Sequence, residues 1–290
     1  MADATVGVVG AGMMGSEIAL VYAIGGHDVL VFDQSAEQRA GVPDKLRGVL
    51  AAGVRRGFYT EEQSGAALAR VRVATGLEAF AGRDLVIEAV FEDAAIKAAV
   101  FERLAGLLRP EAILMSNTSS IPITTLSGHL PEAWRPRFLG THFFSPVSRM
   151  KLVEVIPGLD TDPAVVDRVV AVLTGIGKQP VRVKDVVGFA VNRLLHAFFI
   201  EAVRLVEEGV ATPQDIDVAC KLGLGHPVGP FELMDGVTNS LSLDVQEILH
   251  DAYGPRFLPR PLLKTLVRAG YNGRKAGRGW YRYKDGKRVG

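Results

Sequence analysis

The chain has 290 residues, 48% hydrophobic and 22% charged, with a formal net charge of +1. That length suits one large or two medium domains, and the near-neutral balance argues against nucleic acid or an anionic membrane as the main partner, so any anionic ligand must be held by local basic groups. The single cysteine, Cys220, excludes an internal disulfide and any cysteine-type metal site, and leads to the expectation of a reducing, cytoplasmic setting. Residues 1–5 carry no basic segment of a signal peptide, and the longest apolar runs fall far short of the ~20 residues of a membrane span, so no membrane partner is expected.

Residues 6–9 are a short apolar run, followed by Gly10-Ala-Gly-Met-Met-Gly15 and then by a helical apolar face at Ile18, Ala19, Val21 and Tyr22 that ends at Gly25-Gly26. Residues 27–32 read as a second strand closed by Asp33, which completes one βαβ unit. A long polar helix is expected over residues 36–53, with its pattern interrupted at Pro43, and another over 60–70, where Thr60 and Gln63 have the spacing of a capping box. A buried-type strand over 84–90 precedes a helix over 94–108. A strand over 113–115 leads into Ser116-Asn-Thr-Ser-Ser120. Two strands over 138–144 and 150–156, a helix over 165–176 and a strand over 180–183 follow. Past Gly188 the β signals stop. Val191, Leu194, Leu195, Phe198, Phe199 and Ala202 share a helical face, and Thr212-Pro213, Gly229-Pro230 and Pro261 look like helix starts. The expectation is an α/β chain: a Rossmann-type domain over residues 1–186 and a smaller all-helical domain over 187–290. The apolar helices of the second domain suggest that it closes a homodimer and takes part in substrate binding.

Gly10, Gly12 and Gly15 make a G-x-G-x-x-G turn directly between a strand and a helix, the context that gives this otherwise weak pattern its meaning. The first glycine permits the tight turn, the second lets the backbone approach a pyrophosphate, and the third lets helix and strand pack closely. The helix start, with Met13 and Met14, supplies amide donors and a partial positive charge. Asp33 lies where a carboxylate would accept from ribose hydroxyls and repel a 2′-phosphate, which favours NAD over NADP. Glu92 and Lys97 lie just past the third candidate strand, where they are either ligands or a solvated charge pair. Asn117 follows the next strand at the sheet edge where ligands bind, or makes an Asx turn.

His142 closes a strand, and Glu154 sits inside the apolar run Leu152-Val-Glu-Val-Ile156. A carboxylate there is costly to bury without a partner. A histidine is a natural one: the carboxylate would fix the tautomer and leave the other ring nitrogen to act as base while hydride leaves a carbinol carbon. The alternative is a core histidine and an edge glutamate that do not meet.

The run Gly140-Thr-His-Phe-Phe-Ser-Pro-Val-Ser-Arg-Met-Lys-Leu-Val-Glu154 resembles the signature of the L-3-hydroxyacyl-CoA dehydrogenase family. So do Ser116-Asn-Thr-Ser-Ser120, Gly188-Phe-Ala-Val-Asn-Arg193, Gly229-Pro-Phe-Glu-Leu233 and Gly273-Arg-Lys-Ala-Gly-Arg-Gly-Trp-Tyr281, in the family's order and over nearly the whole chain. In size it is similar to the stand-alone 3-hydroxybutyryl-CoA members. The resemblance implies His142 as general acid and base, Glu154 as the residue that orients it, and Ser119 and Asn192 as hydrogen-bonding partners of the substrate in an interdomain cleft. It also implies NAD contacts from Asp33, Gln34, Glu92, Lys97, Asn117 and Lys275, an acyl-CoA substrate and no metal. Three positions depart from the family pattern. Ser145 stands where many members have Asn. The family's CoA-binding Ser and Lys align with Gly48 or Val49 and with Arg56, which could bind a CoA phosphate. Asp235-Gly-Val-Thr-Asn lacks an apolar residue after the Asp.

The leading expectation is NAD-dependent oxidation of an L-3-hydroxyacyl-CoA, or the reverse. A close alternative keeps the fold but acts on a carrier-protein-bound or free 3-hydroxy acid. An alternative of another class is a non-catalytic NAD-binding sensor or structural protein, which would not need His142 together with Glu154.

Overall fold

The computed structural model describes residues 4–289. The chain divides into two compact units, Met1–Val186 and Val187–Gly290. In the first, the apolar runs become β1 (Val6–Val9), β2 (Val29–Phe32), β3 (Val71–Val73), β4 (Leu85–Glu88), β5 (Ile113–Ser116), β6 (Phe138–Phe143), β7 (Leu152–Pro157) and β8 (Gln179–Arg182). They form one sheet in the order β3-β2-β1-β4-β5-β6-β7-β8. Every neighbouring pair is parallel except β6 and β7. The strands β1, β2, β4, β5 and β6 are buried along their whole length, as uninterrupted apolar runs require when helices cover both faces of a sheet. Those helices are α1 (Met13–Ile24), α2 (Ala36–Arg55), α3 (Glu61–Ala69), α4 (Ala94–Leu107), α5 (Ile123–Ser127) and α6 (Pro163–Gly175). The strand order reverses between β1 and β4, and the crevice outside the carboxyl ends at such a switch point is where ligands bind in doubly wound sheets.

Local chemistry sets the helix ends. Ser35 caps α2 by accepting from the Gln38 amide, Asp93 caps α4 by accepting from Ile96, and Thr60 with Gln63 forms the reciprocal capping box of α3. The expected interruption at Pro43 does not occur. Helix α2 runs through it, held on either side by buried Val42, Leu46 and Leu50. The strand β3 was not expected from the sequence. It is three residues long, at the sheet edge and mostly exposed, so its Val-Arg-Val alternation is too short to stand out.

The second unit comprises α7 (Val191–Glu207), α8 (Pro213–Gly223), α9 (Pro230–Val237), α10 (Asn239–Tyr253) and α11 (Pro261–Arg268). Its core collects Phe199, Val203, Phe231, Met234 and Tyr281. The buried stripe of α7 differs from the expected one: His196, Phe199, Ile200, Ala202 and Val203 face inward, while Leu194 is 75% exposed. The unit also ends in an antiparallel hairpin, β9 (Arg282–Lys284) and β10 (Lys287–Val289), where only helices were expected. Its two-residue turn, Asp285-Gly286, has φ of 51° and 72°. Positive φ at both central positions is the geometry that Asp-Gly favours between two short strands.

Candidate active site

The glycine-rich turn joins β1 to α1. Gly10 has φ +110°, and a Cβ there would lie 2.4 Å from the Ala89 carbonyl oxygen, so only glycine fits. A Cβ on Gly15 would lie 1.9 Å from the Gly10 carbonyl oxygen, which is the close packing the third glycine permits. Among the described residues, a Cβ at Gly12 would meet nothing within 4 Å and no side chain caps α1, so open space adjoins the start of that helix. These features fit a dinucleotide: its pyrophosphate would have room at Gly12 and amide donors at Met13 and Met14. Asp33 is tied into the same turn. Its Oδ2 accepts from the Ala11 amide at 2.7 Å and its Oδ1 from the Ser35 amide at 2.9 Å. Lys45, from α2, donates to the Ala11 carbonyl at 2.7 Å. Gln34 is exposed beside Asp33, and its carbonyl accepts from Arg39 at 3.1 Å.

Beyond β4, the pair Glu92 and Lys97 is not a solvated charge pair. Lys97 is 1% exposed, with its Nζ 2.7 Å from Glu88 and 3.2 Å from Glu92. Glu88 itself is fully buried and also accepts from Ser116 Oγ and the Val90 amide, each at 2.7 Å. Burial pushes the Glu88 carboxyl above its ordinary range despite Lys97. Glu92 is pushed up by its own burial, but the charge of Lys97 and donors from Thr118, Ser119 and Ser120 outweigh it and hold the group below the ordinary range. Nothing in the sequence reading gave Glu88 a role. A carboxylate ending the apolar strand Leu85–Glu88 was the available signal, of the same kind that singled out Glu154.

Asn117 is buried, and its Oδ1 accepts from the Phe143 amide at 2.9 Å, which braces β5 against the residue after His142. His142 and Glu154 are register partners across the antiparallel pair β6 and β7, and Nδ1 of His142 lies 2.8 Å from Oε2 of Glu154. Both are almost fully buried. The twelve-residue spacing therefore spans one β-turn-β excursion that returns to face its origin. Ser119 sits on the loop after β5, and its amide donates to Glu92 at 2.7 Å.

Arg56 lies at the carboxyl end of α2 and lines a shallow pocket of the first unit with Glu17, Tyr59, Pro146, Ser148 and Arg149. Arg149 was not singled out from the sequence. The segment around it is fixed by buried Lys178, whose Nζ donates to the carbonyls of Val147 and Met150, and by Glu17, which accepts from the Ser148 amide. Burial lowers the Lys178 amine to about 8, against a smaller upward pull from Glu17.

In the second unit Asn192 is the second residue of α7, and Lys275 is exposed on the 3-10 turn Arg274–Ala276. Asp235, at the third departure from the family pattern, is an anchor for the chain end. It accepts from the amides of Trp280 and Tyr281 and from the Tyr283 hydroxyl and Asn239. Among the described residues, no group of three or more His, Cys, Asp or Glu could hold a metal ion, and no helix is long and apolar enough to cross a membrane.

Residues 5–186 match the family model of the 3-hydroxyacyl-CoA dehydrogenase NAD-binding domain, and residues 188–283 match its C-terminal domain. The chain belongs to the 3-hydroxyacyl-CoA dehydrogenase family. As such it is an NAD-dependent oxidoreductase acting on CH–OH. Among its relatives, a probable 3-hydroxybutyryl-CoA dehydrogenase of Deinococcus radiodurans is 42% identical over 282 residues, covering 96% of this chain and 99% of that protein. A 3-hydroxybutyryl-CoA dehydrogenase of Bradyrhizobium diazoefficiens is 41% identical over 98% of this chain and 97% of its own. The crystal structure of the (S)-3-hydroxybutyryl-CoA dehydrogenase PaaH1 from Ralstonia eutropha superposes with a TM-score of 0.92 at 38% identity, covering 97% of this chain and 99% of that one. The Rossmann-type unit followed by a mainly helical one is thus the family's architecture.

Proposed function

We propose that the chain interconverts an L-3-hydroxyacyl-CoA and the 3-ketoacyl-CoA, with His142 and Glu154 as its acid–base pair. The contact between His142 and Glu154, in a member of this family, carries the reading. An ionised carboxylate only accepts hydrogen bonds, so Glu154 keeps a proton on Nδ1 and directs the acid–base work to Nε2. In the oxidative direction Nε2 takes the hydroxyl proton, and in the reductive direction it returns one to the carbonyl oxygen. Glu154 stabilises the imidazolium that forms between. NAD, when bound, supplies the hydride acceptor, or as NADH the donor, directly at C3.

The same reading assigns the cofactor to Gly10, Gly12, Met13, Met14, Gly15, Asp33, Gln34, Glu92, Lys97 and Asn117, with Lys275 from the second unit. Ser119 and Asn192 are proposed to hydrogen-bond the reacting oxygen or its neighbour. Arg56, joined by Arg149 on the same pocket, is proposed to meet the anionic end of CoA. Two cations lining one pocket favour CoA over a carrier-bound or free acid. A homodimer through the second unit is proposed on the apolar side chains that unit exposes: Leu194 at 75%, Leu222 at 83% and Leu224 at 63%. Light scattering tests it, and a monomer mass across micromolar concentrations rejects it.

The function is tested by the loss of NADH absorbance with acetoacetyl-CoA. Rapid turnover is expected, with His142→Gln lowering kcat by roughly a hundredfold or more while NADH binding stays nearly intact. Near-normal turnover of that variant would remove the acid–base pair from the reading. NADH binding with no turnover of the thioester by the unmodified protein would point to a sensor instead.

A further inference from the structure

We propose that Arg39 and Lys45 form a cationic rim around Asp33 that receives a phosphate on the cofactor's adenosine ribose, so that the choice between NADH and NADPH is set by three side chains rather than by Asp33 alone. The inference rests on the reading of Asp33 as the acceptor of the ribose hydroxyls.

Both cations reach the end of β2 from α2. Arg39 Nη1 donates to the Asp33 carbonyl at 2.7 Å and to the Gln34 carbonyl at 3.1 Å. Its guanidinium carbon lies 5.6 Å from the centroid of the Phe32 ring, so the group is held at the strand end by ring and carbonyls together. Lys45 lies further along the same helix. Its Nζ donates to the Ala11 carbonyl at 2.7 Å and to Gln38 Oε1 at 2.5 Å. The Ala11 amide is in turn the donor to Asp33 Oδ2 at 2.7 Å. One cation therefore touches the peptide of Asp33 itself, and the other touches the peptide that the Asp33 carboxylate binds.

All four acceptors are carbonyl or amide oxygens, so these contacts place the two charges without neutralising them. Both side chains are half-buried and keep donors to spare. The two bonds of Arg39 leave from Nη1, so among the described residues Nη2 and Nε have no acceptor, and the Lys45 ammonium has one hydrogen beyond its two bonds. Asp33 keeps capacity as well, since each of its oxygens accepts a single amide. On a bare ribose, Asp33 accepts from the hydroxyls. A 2′-phosphate takes away a hydroxyl donor and brings roughly 1.5–2 negative charges near neutral pH. Asp33 repels that charge, while Arg39 and Lys45 attract it, Arg39 with a planar fork that suits phosphate oxygens. Carboxylate and cations thus act in opposite directions on one group, and the preference for NADH is narrower than Asp33 alone would make it.

The test uses the full chain and the Asp33→Ala, Asp33→Ala/Arg39→Met and Asp33→Ala/Lys45→Met variants. The readout is the ratio of the NADPH to the NADH dissociation constant, each by cofactor fluorescence. The ratio cancels any loosening of the glycine-rich turn that weakens both cofactors alike. Asp33→Ala is expected to lower it by roughly tenfold or more, since one change removes the repulsion and an acceptor of the ribose hydroxyls. Each second substitution is expected to raise it again by roughly fivefold, the scale of one charge-assisted hydrogen bond near the surface. A ratio that stays within about twofold of the Asp33→Ala value in either double variant would overturn the proposal while leaving the role of Asp33 standing. An unchanged ratio in Asp33→Ala itself would remove the ribose from Asp33, and the proposal with it. If a variant carrying Lys45→Met does not fold, Lys45→Gln keeps a donor for the Ala11 carbonyl without the charge, and the same rise in the ratio is required of it.

Discussion

The buried ion pair between Lys97 and Glu88 makes a quantitative prediction for Lys97→Met. Methionine fills most of the volume but leaves the Glu88 carboxyl, which is 0% exposed, without its cation. Keeping that carboxylate ionised and unpaired would cost roughly 3–5 kcal/mol. The alternative is to bind a proton. From an ordinary value of 4.5, doing so at about pH 7 costs about 3.4 kcal/mol, at about 1.4 kcal/mol per pH unit. The folded variant then holds one more proton than its unfolded chain, so its stability falls as pH rises and recovers as pH falls. The expected result in urea unfolding is a loss near 3 kcal/mol at about pH 7 that shrinks to about 1 kcal/mol at about pH 5. The Glu88→Gln/Lys97→Met pair, which removes both charges, should recover most of it. A loss below about 1 kcal/mol at pH 7, or one that does not change between those pH values, would refute the account of this pair as a buried, mutually dependent one.

Asp33→Ala should weaken NADH and relax the rejection of NADPH, because it removes the carboxylate that would repel a 2′-phosphate. Titrations with both cofactors check this, and an unchanged preference would move the discrimination elsewhere. His196 is buried on α7, and among the described residues its Nδ1 has no hydrogen-bond partner. Burial lowers its pKa from 6.5 to about 4. A depressed value means the unfolded chain takes the proton first, so stability is lost as pH falls from about 6.5 toward 4, by up to about 3 kcal/mol. His196→Leu should flatten that part of the stability profile, as read from denaturant midpoints across the range. A parallel profile in the variant would show that His196 is not its source.

What the sequence made legible followed from short-range periodicity. The βαβ opening, the long helices, the change at residue 188 and the capping box at Thr60 are each written in a window of a few residues. The hairpin at the chain end was written just as locally, in Asp285-Gly286, but its strands are only three residues long and rich in Arg and Lys, so they carry no apolar signal. Edge strand β3, Val-Arg-Val, was hidden by its shortness. At the site, the glycines and the approach of His142 to Glu154 could be read because each had a costly or special residue in an apolar setting. The four loop donors on Glu92 could not be read, because all are backbone amides or hydroxyls 26 to 28 residues away. Pattern reports which residue is unusual, but its partner comes from strand order.

Strand order also explains why the polar groups of the site meet at all. Register places Glu88 beside Ser116, and His142 beside Glu154. The bonds between these pairs, with that from the Phe143 amide to Asn117, run sideways across the ends of β4, β5, β6 and β7 at 2.7, 2.9 and 2.8 Å. Successive side chains of a strand point to opposite faces, so a one-residue slip of β7 would carry Glu154 to the other side of the sheet. Such a slip would leave the buried Glu154 carboxylate without His142, a cost that favours the observed register. The reversal of β7 matters equally. Because it runs antiparallel to β6, residues beyond His142 turn back and bring Glu154 opposite within twelve positions. A parallel neighbour would have needed a crossover of a dozen or more residues before pairing could begin. This antiparallel junction is thus where a histidine at a strand end acquires its carboxylate from the same short stretch of chain.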